Sequence, residues 1–220
     1  MDRLIHTARI DEDLVILDLR SDSYFCAPKA FADSNAPAEP GAGLSLEVQT
    51  ALRAAGVEVP RGWRALDPPK LMAARRDTFD RDGAEVGGDL NARLEASLRP
   101  AWRCARRVSV QCLFDFPHRS VRSLTGGLAE ARAKLGRPST DLGAWVRAFE
   151  AWSPWWPYQG ACLYRAYVRL KFLHAGGHDA NWVFGVRLWP FQAHCWLQAG
   201  DLVIGDRIHR VRAFTPIMVA

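Results

Sequence analysis

Hydrophobic positions along the first thirty residues are spaced for extended chain. Leu4 to Ile10 reads as a short strand. Val15-Ile16-Leu17-Asp18-Leu19, the turn Arg20-Ser21-Asp22-Ser23 and Tyr24-Phe25-Cys26-Ala27-Pro28 read as a hairpin. Ala32 to Gly43 is too rich in Pro, Gly and Asn for a regular element, and the next apolar run, Leu44 to Ala55, predicts a helix stopped by Gly56 that would cover the sheet. Pro60 to Pro69 reads as a linker, and Leu71 to Gly88 is polar with no clear element. From Asp89 onward helices dominate: Asp89 to Phe114, Ser120 to Leu135, and Ser139 to Trp152 with Ser139 as its cap. A largely apolar helix follows from Gln159 to Leu173, set between Pro157 and Gly176-Gly177. The period then changes to two. Trp182, Phe184, Val186 and Leu188 share one face of a run ending at Pro190, and Ala193 to Gln198 and Leu202 to Asp206 are two further strands. The order predicts an α+β protein: a small module over residues 1–60 with a three-stranded hairpin sheet plus helices, a linker over 61–88, and a helix-rich domain with a small antiparallel sheet over 89–220.

Chemistry gathers in the last third. Cys162 falls in the first turn of its helix, where unpaired N–H groups and the positive end of the macrodipole favour the reactive thiolate. His194 and Asp206 follow on two short strands, giving the order of nucleophile, base and orienter used by cysteine hydrolases and acyltransferases. If Ala199-Gly200-Asp201 is a three-residue hairpin loop, His194 lies directly opposite Asp206; a two-residue loop moves the partner to Arg207. Each residue alone has a bland reading: a small buried hydrophobe, a structural histidine, a turn aspartate. Their order and surroundings favour the catalytic one. The other cysteines read as structural: Cys104 and Cys112 share one helix face, Cys26 lies beside Phe25 in a strand, and alternation turns Cys195 away from His194. Just before the helix, Gln159 and Trp156 are candidates for a second oxyanion donor beside the Cys162 amide. The surrounding Trp152-Ser153-Pro154-Trp155-Trp156-Pro157 stretch reads either as cleft lining or as packing around the helix start.

Composition narrows the classes. With 220 residues, 49% of them apolar, and nine Trp, the chain can fill a sizeable core. No apolar run approaches the roughly 20 residues of a membrane span, and Asp2-Arg3 leads into a mixed strand rather than the apolar segment of a secretory signal. Five cysteines without paired spacing predict reduced thiols in the cytoplasm. No metal site is expected, because there is no CxxC pair and Gly176-Gly177 separates His174 from His178. The net charge of +5 is concentrated at residues 99–137, where nine Lys or Arg face Asp115 and Glu130. Such runs are ordinarily solvated helix faces, so nucleic acid is not an expected partner. A phosphate-binding GxxxxGK[ST] loop is absent from the sequence, and no cofactor is expected.

Cys162-Leu163-Tyr164-Arg165, Val183-Phe184-Gly185-Val186-Arg187, Ala193-His194-Cys195-Trp196, Asp206-Arg207 and Phe214-Thr215-Pro216-Ile217 together resemble the lasso-peptide biosynthesis B proteins. The close match covers about residues 155 to 220. That resemblance implies a leader peptidase of transglutaminase-like and papain-like fold, whose partners are a lasso precursor peptide and an asparagine-synthetase-like cyclase. Cys195 departs from it, since a small or apolar residue is expected there. The N-terminal hairpin resembles the PqqD-like recognition element, a winged helix-turn-helix module whose sheet edge takes a leader peptide as an added strand. By that resemblance Leu19, Tyr24, Phe25 and Cys26 are leader-binding candidates. Two other readings stand beside this one: another papain-like acyl transfer, as in a transglutaminase or amidase, and a non-catalytic peptide- or DNA-binding module.

Overall fold

The computed structural model describes residues 4–30, 50, 52–54, 56, 69–79, 89–138, 141–155 and 161–220. The chain opens with strands β1 (Ile5–Ile10), β2 (Asp13–Asp18) and β3 (Ser23–Ala27), paired antiparallel in that order. Two polar turns close this sheet, with Asp11 and Asp22 each at positive φ, a conformation that aspartate tolerates better than most residues. Asp18 holds the second turn by accepting from the Arg20 amide at 2.9 Å and from its guanidinium at 2.8 Å. The central strand β2 is buried along its whole length, with Leu14, Val15 and Ile16 fully enclosed. Of the helix expected over Leu44 to Ala55, Thr50 and 52–54 are helical and Leu52 is buried. The rest of it, the Ala32 to Gly43 stretch and most of the Pro60 to Pro69 linker lie outside the described residues.

Four helices follow: α1 (Asp89–Asp115), α2 (Val121–Ala133), α3 (Leu142–Trp152) and α4 (Cys162–Ala175). Ser120 caps α2 by accepting from the Ser123 amide. The cap of α3 is Asp141, which accepts from the Ala144 amide at 3.1 Å, so the helix begins later than the Ser139 start that the sequence suggested. Asp141 directly precedes the apolar run, and from there its carboxylate reaches the third amide of the helix. Helix α4 is apolar around most of its circumference and is correspondingly buried, Leu170, Phe172 and Leu173 completely. Trp145 stacks on Phe172 at 4.7 Å and donates its indole N–H to the Phe172 carbonyl, fixing α3 against α4.

The second sheet has the order β4 (Arg76–Asp77), β7 (Leu202–Ile204), β6 (Gln192–Ala199), β5 (Asn181–Arg187) and β8 (Thr215–Val219). It is mixed rather than antiparallel, because β4 runs parallel to β7. That edge strand comes from the polar stretch for which no element was expected. Two residues of pairing leave little periodicity to read, and Arg76 is held there by Asp201 at 2.8 Å rather than by apolar patterning. Helix α4 packs on one face of the sheet, sharing a core with Cys195 and Leu197; Val183, Trp196, Val203, Val211 and Phe214 cluster on the other. Strand β1 lies against β8, and Asp22 accepts from the Val121 amide at the start of α2, so the N-terminal sheet is packed onto the rest of the protein.

Candidate active site

Helix α4 delivers Cys162 at its first position, after Ala161, an extended N-cap residue that offers no side-chain cap. First-turn amides therefore stay oriented toward whatever the thiol meets. What it meets is strand β6. His194 is buried between Phe214 and Trp196, with ring centroids 5.2 and 6.1 Å away, and hydrogen-bonds to the Cys162 sulfur. Its Nε2 faces Asp206 Oδ2 at 2.5 Å, which leaves Nδ1 for the thiol. Asp206 Oδ1 in turn accepts from the Arg207 amide at 2.8 Å. Thiol, imidazole and carboxylate thus line one open cavity of about 350 Å³, with Arg165, Arg210 and Phe79 on its walls.

The register that brings His194 to Asp206 is not the direct opposition expected. Ala199 pairs with Leu202, so the hairpin loop is the two residues Gly200-Asp201, and continuing that ladder would set Arg207 opposite His194. Strand β7 stops at Ile204 instead, and Gly205 adopts φ +67. This bend carries Asp206 back to the histidine. Its position is pinned from two sides: Gly205 N–H donates to Thr78 Oγ1 at 2.9 Å, and its carbonyl accepts from the Arg169 guanidinium at 3.3 Å. Arg169 lies seven residues beyond Cys162 on the same face of α4 and is buried, with its charge met by Glu150 at 2.7 Å. Neither Thr78 nor Arg169 was singled out by sequence reasoning, although the seven-residue spacing within an apolar helix was a signal for the arginine.

Electrostatically the cluster behaves as an ion pair. Cys162 is drawn down from 9.0 to about 4, first by a hydrogen bond from the Cys195 thiol, then by His194 and by the Cys195 backbone N–H, against the opposing effect of burial. Burial pushes His194 down, but hydrogen bonds with Asp206 and Cys162 outweigh it and its pKa is raised. For Asp206 burial pushes upward and is outweighed by His194 and the Arg207 amide, so its pKa is lowered. A thiolate beside an imidazolium is the resting arrangement these shifts describe.

Cys195 corrects one expectation. Alternation does turn it away from His194 and into the core with α4, yet α4 is where Cys162 sits, so Cys195 lines the same cavity and is the first influence holding the Cys162 pKa down. Tyr24 is also placed differently from a free edge residue: its ring packs on Phe191 at 5.6 Å, and its phenol is held far above its usual value, first by burial and then by charge at Cys195 and Cys162. Of the other leader-binding candidates, Leu19 is in the core, Phe25 is half-buried and Cys26 is exposed on β3. Both oxyanion candidates, Trp156 and Gln159, lie outside the described residues. Trp152 packs against Trp102 and donates to Ser109, a packing role rather than a cleft-lining one.

A thiol with a lowered pKa at a helix tip, packed on a sheet that carries a histidine–carboxylate pair, is an arrangement with the groups that nucleophilic cysteine chemistry needs. The transglutaminase-like superfamily matches residues 107–219, just over half of the chain, and the chain belongs to it. Members of this papain-like fold are typically cysteine-dependent enzymes. The chain is also similar to the microcin J25-processing protein McjB of Escherichia coli, with 37% identity over 49 residues. That stretch is 22% of this chain and spans about a quarter (24%) of the length of that relative. No solved structure matches the chain. Among the described residues no helix is long and apolar enough to cross a membrane.

Proposed function

We propose that this protein is a cysteine peptidase that removes the leader from a lasso-peptide precursor before macrolactam closure. The observation that carries the reading is the convergence of Cys162, His194 and Asp206 on one open cavity. In the mechanism, the Cys162 thiolate attacks the carbonyl at the leader/core junction. The tetrahedral oxyanion is held by the Cys162 amide together with a donor from the preceding segment, for which Gln159 and Trp156 are the candidates. His194 gives its proton to the leaving amine of the core peptide, then takes one from the water that hydrolyses the thioester. Asp206 keeps the imidazole oriented and stabilises its charge. Residues 1–60 recognise the leader along the β3 edge, and residues 89–220, completed by β4, cut it. Processing takes place in the cytoplasm, without a cofactor, and an asparagine-synthetase-like cyclase takes over the released core.

Membership of a transglutaminase-like superfamily gives one rival weight, in which an amine rather than water resolves the thioester. Mass spectrometry of a leader–core peptide incubated with the protein separates the two. Two fragments from the native protein and none from Cys162→Ala are expected. An amine adduct or a deamidated full-length peptide would make the protein a transferase, and cleavage by Cys162→Ala would end the assignment of the nucleophile.

A further inference from the structure

A second thiol in contact with an activated one has chemistry of its own. Cys195 lies on β6, Cys162 packs against the core cluster that holds it, and both residues line the same open cavity, where each is the largest influence on the other's protonation. Cys26, Cys104 and Cys112 are elsewhere: the first exposed on β3, the other two along α1. Two thiols on the wall of one cavity can be joined by side-chain rotation where the backbone geometry suits a disulfide. Within that cavity Cys162 is half-buried and open to small solutes, whereas Cys195 is almost fully buried in the wall. That arrangement has a more accessible sulfur to be oxidised first and a sheltered one to resolve it.

We propose that Cys162 and Cys195 form an oxidation site at which a hydroperoxide, hydrogen peroxide being the simplest, converts the two thiols reversibly into a disulfide. The Cys162 thiolate attacks one peroxide oxygen, the O–O bond breaks, and the leaving hydroxide takes the His194 proton to become water. Cys162 is now a sulfenic acid and His194 is neutral. The Cys195 sulfur attacks the Cys162 sulfur. An S–S bond forms, the S–O bond breaks, and the departing hydroxide takes the Cys195 proton and leaves as water. Two electrons pass from the thiols to the peroxide, and two waters are produced.

The order of events is favoured by charge. The largest influence keeping Cys195 protonated is its contact with Cys162, and this weakens once the thiolate has become a neutral sulfenic acid. The resolving thiol is therefore quiet at rest and released by the oxidation that calls for it. A disulfide here would block the nucleophile reversibly and divert it from overoxidation to sulfinic acid, which is irreversible for most proteins. The inference rests on the thiol pair and stands whether or not the cavity cleaves a peptide.

The experiment treats the full-length protein with hydrogen peroxide, alkylates remaining thiols, and maps the digest by mass spectrometry. Expected is one cross-linked species joining the Cys162 and Cys195 peptides, about 2 Da lighter than their sum and lost on treatment with dithiothreitol. In Cys195→Ala, folded by circular dichroism, Cys162 should instead gain about 32 Da as sulfinic acid, on the order of ten times faster than in the native protein. Cross-linking to Cys26, Cys104 or Cys112, or equal rates of sulfinic acid formation in both proteins without a cross-link, would overturn the proposal. Since the readout is mass rather than turnover, failure here leaves the peptidase reading untouched, and inactivity toward a precursor leaves this one untouched.

Discussion

Cys162 and His194 shift in opposite directions, the first lowered by Cys195 and then His194, the second raised against burial by Asp206 and then Cys162, and the sign of each shift fixes a limb of the pH profile. A lowered thiol pKa means thiolate is present above about 4; a raised imidazole pKa means the protonated acid persists above the ordinary 6.5. Between these limits the reactive pair exists, so kcat/KM should rise through about pH 4 and fall on the alkaline side only after His194 loses its proton. Alkylation of Cys162 by iodoacetamide, followed by mass spectrometry, should share the acid limb but not the alkaline one, because it needs the thiolate alone. His194→Ala should move that acid limb upward toward the ordinary thiol range and lower kcat by roughly 10²–10⁴. An unmoved alkylation profile would mean that Cys195, the first contributor to the low pKa, suffices without the histidine. At this scale the sequence was informative: order and local context picked out all three residues that the fold brings together. Alternation placed Cys195 away from His194, but it says only which face a side chain takes and not what another element brings to that face.

At the scale of elements, the β6–β7 hairpin shows how a correct pair can follow from a mistaken register. Gly200 at φ +59 with Asp201 next suits a two-residue hairpin loop whose first position must be left-handed, a signal already visible in the Gly-Asp dipeptide. That loop puts Arg207, not Asp206, in line with His194. The second left-handed glycine, Gly205, undoes the offset, with Thr78 and Arg169 holding its N–H and C=O. Those two contacts come from the residue after β4 and from α4, far away in sequence, so although the spacing of Arg169 from Cys162 marked the arginine, no local pattern announced that either would hold Gly205. A Cβ at residue 205 would stand 2.1 Å from the Arg169 guanidinium carbon, which is itself tied to Glu150. Gly205→Ala combines that clash with a positive φ costing roughly 1–3 kcal/mol. It should preserve the overall circular dichroism spectrum while lowering kcat by at least about tenfold through a displaced Asp206. Thr78→Val removes one acceptor with little change of shape and should give a smaller loss. Native activity in Gly205→Ala would show that Asp206 does not depend on the bend.

For the whole molecule, the sequence distinguished a hairpin sheet at one end from a helix-and-sheet region at the other, but not the way they lock together. The lock is made by residues distant along the chain. Asp13 on β2 accepts from the Trp189 indole N–H at 3.0 Å and from the Lys29 amide at 2.8 Å, and Tyr24 packs on Phe191. Trp189 and Phe191 belong to the turn that leads into β6, so the N-terminal sheet braces the segment just ahead of His194. Two roles for that sheet can be told apart. If it chiefly presents a leader strand to the cavity, loosening the lock weakens recognition at a distance from the chemistry; if it chiefly supports the site, chemistry itself declines. Asp13→Ala loses both bonds, at about 0.5–1.5 kcal/mol each because Trp189 and Lys29 are exposed and can turn to water, and should lower Tm by a few degrees. Leader recognition then predicts a raised KM for a leader-bearing peptide, with kcat for a short leaderless peptide unchanged. A matched fall in kcat for both peptides would assign the sheet to support of His194, and the edge of β3 would lose its claim on the leader.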